Sequence, residues 1–361
     1  MLLMLLPAAA GLGSGPRRHG PGSCLAAGPR GACLGRLELE DGAAEEAPGL
    51  GLLQRRARAP QPGWGAPGTN PGPTPLLQAA RPLAWLHVPK TGTSLINAIV
   101  HTPGLCPGVP ADLVVNRSTY CRGCNRFNDL MAAHFEQQFP PRWSCPNGVA
   151  TGASHRSVAD DYEAVYRGHG VTMLRQPEQR LISSYRHKHH DWPRTLEKPE
   201  NLTLPAYAEV VQGCAVKMLA GRRARRSFCG EPGPPKEGEL EEALRRLEGL
   251  AFVGLTEEWD LSICLWHAMF GGLCYGSELQ DIRARGDPHE PYPTEELQGF
   301  VDHAEGVLYA RAQELFAERS RQYGVSRASC RACFRHAAAH WAPEPDGRPW
   351  GWPLPVLGLQ R

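Results

Sequence analysis

Neither sign of charge dominates this chain. Lys and Arg number 39 against 37 Asp and Glu, a formal net charge of +2, which gives no global sign of nucleic-acid binding. Aromatic residues are sparse at 7%, and nowhere alternate with basic residues as a groove for single-stranded nucleic acid requires. The apolar run Met1 to Ala10 falls short of the roughly 20 residues that span a bilayer. It also has no basic segment before it, so it is an imperfect signal peptide. It reads as a shortened signal or anchor, or as a start that differs from the true amino terminus, and N-terminal membrane anchoring stays open. From Gly11 to Ala80 large apolar residues are scattered among Gly, Pro, Ala and Arg. Such a stretch cannot bury enough surface to offset its ordering entropy. Residues 1–80 are therefore expected to be a short apolar start plus a disordered stem, 81–335 one folded domain, and 336–361 an irregular tail.

Cysteine is plentiful by contrast. There are 12, ten of them between residues 81 and 335, many for a cytosolic enzyme and suited to an oxidising compartment. Asn116-Arg117-Ser118 and Asn201-Leu202-Thr203 are glycosylation acceptors of the same implication. Cys121-Arg122-Gly123-Cys124 and Cys330-Arg331-Ala332-Cys333 have the grammar of a four-thiolate zinc site. They stand about 200 residues apart, too far for a zinc ribbon. Disulfides are the expected use, with Cys106 or Cys145 as candidates for the first pair and connectivity open. No metal site is assigned.

The most informative segment runs from Leu83 to Leu95. It reads as an apolar strand, a tight turn holding Lys90, and the small residues Thr91, Gly92, Thr93 and Ser94 opening a helix. Amides at a helix start are orphan donors at the positive end of the dipole, which suits a phosphate group. Gly92 lets the backbone approach an anion, and Lys90 supplies a mobile charge. A Walker-type nucleotide loop is excluded on order. No glycine stands in the six positions before Lys90, and the lysine opens the turn rather than closing it.

A second strand, junction and helix follow. Val171-Thr172-Met173-Leu174 is β-branched and apolar, and Pro177 and Glu178 suit the first turn of a helix carrying Leu181, Ile182 and Tyr185. Arg175 sits at the strand end and Ser183 about two helical turns on. An arginine fork with a hydroxyl is a suitable clamp for a terminal phosphate. Arg180 is expected to brace this helix rather than touch ligand.

These two elements carry a resemblance. His87-Val88-Pro89-Lys90-Thr91-Gly92-Thr93-Ser94-Leu95 resembles the 5′-phosphosulfate loop of the sulfotransferases, which take sulfonate from 3′-phosphoadenosine 5′-phosphosulfate (PAPS). The run from Arg175 to Tyr185 resembles the 3′-phosphate site of the same family. Leu250 to Asp260 is similar to the "FVGLTE" segment of Golgi carbohydrate sulfotransferases, and Val301 to Arg311 to their closing helix, with His303 in place of the expected asparagine. The resemblance spans roughly residues 82–323. It implies that Lys90, Thr91, Gly92, Thr93, Ser94, Arg175 and Ser183 bind PAPS and that no metal is required. It also implies a luminal Golgi enzyme sulfating a hydroxyl of a carbohydrate acceptor, with oligomeric state undetermined.

Strands alternating with helices predict an α/β fold: a P-loop-like parallel sheet flanked by helices, the sulfotransferase fold. Strands are expected at 83–88, 149–153, 171–174 and 251–255, and helices at 93–101, 129–138, 159–166, 177–190, 240–250 and 294–322. Both proposed phosphate elements fall at the carboxyl ends of strands, where such sheets bind ligands. A base must take the acceptor's proton, and His155, ending the 149–153 strand, is the candidate, with His134 next. The segment is loosely similar to the "GHH" of related glycan sulfotransferases, and a capping or core histidine is the alternative. His187, His189 and His190 with Lys188 suggest a basic acceptor surface. Arg222, Arg223, Arg225 and Arg226 suit an anionic glycan or a plain solvated loop. Two other functions remain open: a nucleotide-dependent kinase, disfavoured by the lysine order and the lack of a recognisable magnesium aspartate, and a non-catalytic glycan-binding pseudoenzyme.

Overall fold

The computed structural model describes residues 71–106, 114–115, 155–221, 229–280 and 291–340. Outside them lie the expected strand at 149–153, the helix at 129–138, the N-terminal run, His134, Asn116, Cys121, Cys124, Cys145 and the arginine run at 222–226.

Three short strands form a parallel sheet in the order β1 (Ala84–Leu86), β2 (Gly170–Leu174), β3 (Phe252–Leu255). Trp85 pairs with Val171, and Met173 with Gly254. Every residue of the three strands is buried, the mark of a parallel sheet covered by other elements rather than one with a wet face. The molecule is thus α/β with a small parallel sheet. The expected strands at 171–174 and 251–255 are present within a residue, and that at 83–88 is shorter by three residues.

Among the described residues the helices are α1 (Pro75–Ala80), α2 (Leu95–His101), α3 (Pro177–Arg186), α4 (Leu204–Val211), α5 (Cys214–Ala220), α6 (Glu239–Glu248), α7 (Trp259–Phe270), α8 (His303–Gln322) and α9 (Arg331–Ala339). Residues 159–166 form one 3₁₀ turn and one π turn instead of an α-helix. Two helices lie partly or wholly beyond the expected ends of the folded region. Helix α1 lies inside the stretch read as stem: Pro75 occupies its first turn, Thr74 caps it, and fully buried Leu77 helps seat it on α7. At the other end α9 continues to Ala339, four residues into the expected irregular tail, with Phe334 and Ala337 in the core.

The helix expected over 294–322 is broken. A 3₁₀ turn at Thr294–Leu297 ends in left-handed Gln298 and Gly299, and α8 begins only after Asp302, whose carboxylate caps it by accepting from Glu305 N at 3.1 Å. The expected helix from 177 to 190 likewise stops at Arg186, and Lys188 and His189 adopt φ of 58° and 57°.

The described cysteines form disulfides. Cys214 joins Cys229, Cys264 joins Cys330, and Cys274 joins Cys333; Cys106 is also disulfide-bonded. Cys330 and Cys333 go to separate partners, so that pair cannot serve a four-thiolate zinc site. Asp191 lies against Cys214 and Cys229, but their disulfide removes the thiolates a metal would need. No helix among the described residues is long and apolar enough to cross a membrane.

Candidate functional site

The carboxyl ends of adjacent strands β1 and β2 open onto the two junctions singled out above. After Leu86 the chain turns through Pro89 and Lys90, and Lys90 is held half-buried in the left-handed region at φ 65°. Side chains rarely accept that conformation, which costs of order 1 kcal/mol or more. Gly92 follows at φ 108°, and a Cβ there would stand 2.4 Å from the Trp259 ring. Trp259 is itself fixed by donating from Nε1 to Glu278 O at 2.8 Å. The indole therefore forms a floor that only glycine can cross.

The small residues of the turn divide their work. Thr91 is 2% exposed and donates its hydroxyl to Val88 O at 2.8 Å, so that hydroxyl closes the turn and does not face a ligand. Thr93 Oγ1 lies 3.2 Å from His87 Nε2. Ser94 is buried at the start of α2 without capping it through its side chain. The main-chain amides of Thr91, Gly92 and Thr93 donate no hydrogen bond within the described residues. Three successive unused donors beside a lysine suit an anion.

At the end of β2, Arg175 leaves the sheet directly and is 21% exposed. Its Nε stands 3.9 Å from a Glu257 oxygen, beyond a hydrogen bond, and its guanidinium lies 5.4 Å from the centre of the Tyr292 ring. Helix α3 starts two residues later, capped by the Gln176 side chain. Ser183, 6% exposed, lies on it, and its hydroxyl has no partner among the described residues. Arg180 on the same helix is fully buried. It meets both oxygens of Glu305 and bonds Asp191 Oδ2 at 2.6 Å, so it braces the fold as expected.

His155 belongs to the same sheet edge. Its Nδ1 lies 2.7 Å from His87 O, and its ring is 4.2 Å from that of His87. The other face of the histidine at the β1 end stacks near Trp85 at 4.3 Å. His190 Nε2 stands 3.1 Å from His155 Nε2, and the His187 ring is 5.3 Å from His190. The histidines after α3 are therefore not a simple solvated surface. His190 turns back to the strand ends, whereas His189 packs edge-on against Tyr185 at 4.6 Å.

Three residues of this site have no role in the sequence reading. Thr256 donates its hydroxyl toward both Thr91 O and Leu174 O, 3.1 Å from each, tying the lysine turn to the end of β2. Glu257 accepts from Gln176 N at 3.0 Å and from Tyr309 OH at 2.7 Å, which sets the carboxylate beside Arg175. Burial and the facing Glu257 push the Tyr309 hydroxyl pKa up, so it stays a donor. Tyr292 is gripped through its main chain by the Gln179 amide, at 2.7 and 2.9 Å, with Arg186 4.7 Å from its ring centre. Thr256 and Glu257 were visible only as part of the "FVGLTE" resemblance. Nothing local in the sequence marks the pairing of Gln179 with Tyr292. No family model matches this chain, and no curated protein matches its sequence.

Proposed function

We propose that this protein is a PAPS-dependent sulfotransferase with the sulfotransferase fold, acting on a hydroxyl of a carbohydrate acceptor. The observation that carries the reading is the placement of two anion-suited junctions at the carboxyl ends of neighbouring parallel strands: Lys90 with three unused amides on one, Arg175 and Ser183 on the other. One doubly phosphorylated adenosine offers an anion to each. Lys90, the amides of Thr91, Gly92 and Thr93, and Ser94 hold the 5′-phosphosulfate. Arg175 and Ser183 hold the 3′-phosphate, with Glu257 steering the guanidinium.

The acceptor oxygen attacks sulfur in line, an S–O bond forms, and the bond from sulfur to the 5′-phosphate oxygen breaks. Lys90 neutralises the charge that grows on that oxygen. The hydroxyl proton goes to His155, and the products are a sulfate ester and adenosine 3′,5′-bisphosphate. Positioning and electrostatics do most of the work, much as in phosphoryl transfer; the leaving adenosine 3′,5′-bisphosphate is a good leaving group, so the proposal requires no metal. The disulfides support a luminal setting; the Golgi, an N-terminal anchor and an anionic glycan acceptor complete the proposal.

The test compares binding of adenosine 3′,5′-bisphosphate with that of ATP and magnesium, then follows labelled sulfonate onto a panel of neutral and acidic glycans. Bisphosphate preference with transfer is expected. Preference for ATP and magnesium points to a kinase, and tight bisphosphate binding without transfer to a binding module. Two variants sharpen it. Arg175→Ala is expected to weaken bisphosphate binding by about ten- to a hundred-fold, the value of a charge-assisted clamp, with a smaller effect on kcat. Gly92→Ala is expected to lose at least about ten-fold in affinity, since both the left-handed backbone and the Trp259 floor resist a Cβ. Calorimetric titration reads both, and a wild-type Kd in either removes that residue from the site.

A further inference from the structure

Resting on the luminal setting proposed above and not on the donor chemistry, we infer that Asn201 carries an N-linked glycan, rooted beside the turn that follows α3. The tripeptide Asn201-Leu202-Thr203 supplies an acceptor amide and, two residues on, the hydroxyl that the attaching enzyme reads. A bulky, solvated sugar persists on a folded protein only where its asparagine stands in water. The fold meets that condition. Every residue from Arg194 to Asn201 is exposed. Beyond them exposure alternates: Asn201 and Thr203 are exposed, while Leu202 and Leu204 are buried in the small apolar cluster with Leu181, Ile182 and Tyr207. Extended chain turns successive side chains to opposite faces. The two residues needed for attachment therefore share the wet one.

The fold explains Thr203 without a sugar, but not Asn201. Thr203 caps α4, its hydroxyl accepting from Ala206 N at 3.4 Å. An asparagine with a structural task in a turn bonds nearby backbone. The Asn201 side chain makes no hydrogen bond among the described residues, so a sugar on its amide displaces nothing. The main chain beside it is pinned instead: Leu202 O accepts from Tyr185 OH at 2.7 Å. Tyr185 lies on α3 two residues after Ser183, and its ring is 4.6 Å from that of His189. The glycan is thus rooted at the rim of the candidate site, on a fixed stretch of chain.

The co-reactant is an oligosaccharide carried on a lipid diphosphate in the membrane of the secretory compartment. A bond forms between Asn201 Nδ2 and the anomeric carbon of the sugar. The bond from that carbon to the diphosphate breaks, and its electron pair leaves with the diphosphate. The amide gives up one proton to the attaching enzyme. The chain gains an uncharged, strongly hydrated group and loses no charge. Leu196, a large apolar side chain 40% exposed, lies in the same exposed stretch. A solubilising sugar close by in sequence keeps that stretch in water.

The test expresses the full chain in eukaryotic cells and releases N-glycans with peptide N-glycosidase in ¹⁸O-water, which leaves a labelled aspartate at each occupied asparagine. Tandem mass spectrometry is expected to find the label at Asn201. Asn201→Gln should lose one glycan in electrophoretic mobility. Thr203→Asp should lose the same glycan while keeping a side chain able to cap α4, and Thr203→Ser should retain it. Loss in Asn201→Gln and Thr203→Asp with retention in Thr203→Ser ties the glycan to the tripeptide rather than to a change of fold. An unlabelled Asn201 beside a labelled Asn116 overturns the inference and leaves the luminal setting. No label at either site overturns the inference too; free thiols at Cys264 and Cys330 in the same sample would then retire the luminal setting with it. A labelled Asn201 in a chain that transfers no sulfonate upholds the glycan and counts against the donor reading alone.

Discussion

Lys90→Ala should lower kcat for sulfonate transfer by about a thousand-fold, the upper range for removing one group aimed at developing charge. The backbone gives the reason to expect so much from one side chain. Lys90 is a non-glycine residue at φ 65°, held there by a turn that Thr91 closes onto Val88 and Thr256 ties to Leu174. A position that merely needed a turn would favour glycine or asparagine. Lys90→Gly is the informative control, since it removes the left-handed cost and keeps the turn. Unchanged Tm together with lost turnover would separate the charge from the fold. Single-turnover measurement with saturating donor reads the chemical step. Wild-type rates in Lys90→Ala would refute the assignment.

Arg180→Met should destabilise the protein by about 3–5 kcal/mol, the range for breaking a buried ion pair from one side. Arg180 is fully buried, and both carboxylates it joins, Asp191 and Glu305, are buried with it. Burial works against its charge, but Glu305 and Asp191 hold its pKa above the ordinary arginine value. Removing it leaves Asp191 and Glu305 buried without their hydrogen-bonded cation, since Lys217, whose field reaches Glu305, donates instead to the Glu231 and Gly233 carbonyls. The network also reaches farther than α3: Glu305 accepts from Ala215 N at 3.3 Å, and its neighbour Asp302 accepts from Gly213 N at 2.6 Å. One guanidinium thereby joins α3, α5, α8 and the turn that carries His190. Urea unfolding midpoints measure the loss. Adding Glu305→Leu should restore part of it, because an apolar pair costs less than an orphaned charge. A midpoint within about 0.5 kcal/mol of wild type would show that the network is dispensable.

The parts of this architecture written locally were legible. Val171 to Leu174 and Phe252 to Leu255 are short apolar runs bounded by polar junctions, and both are strands. Pro177 and Glu178 announced the start of α3. The break before α8 was also written, since Asp302 stands three residues before Glu305, a helix-start signature. It was overridden because Leu297, Phe300 and Val301 continue the apolar spacing across the gap. Apolar spacing does not report whether the backbone is continuous, and here Val301 and Val307 are exposed despite it. The placement of the candidate site was legible in part. Lys90, Gly92, Arg175 and Ser183 follow from what a phosphate needs near a strand end. Thr91 was assigned to the ligand, but its hydroxyl turns inward, because a buried hydroxyl beside a free carbonyl satisfies both. The pairing of His155 with His190 and the steering of Arg175 by Glu257 join residues 35 and 82 positions apart. Contacts at that range are created by the packing of the sheet and have no local trace.

The two cysteines of Cys330-Arg331-Ala332-Cys333 are fastened to Cys264 on α7 and to Cys274 just beyond it. Closing loops of 66 and 59 residues stabilises by about 4 kcal/mol for the first such link in the chain-entropy account. Helix α7 also carries Trp259, the floor beneath Gly92. Helix α9 therefore acts as a covalent buckle on the wall that shapes the lysine turn. A chain matured under reducing conditions would leave that buckle open, and the lysine turn would slacken at a place far from either sulfur.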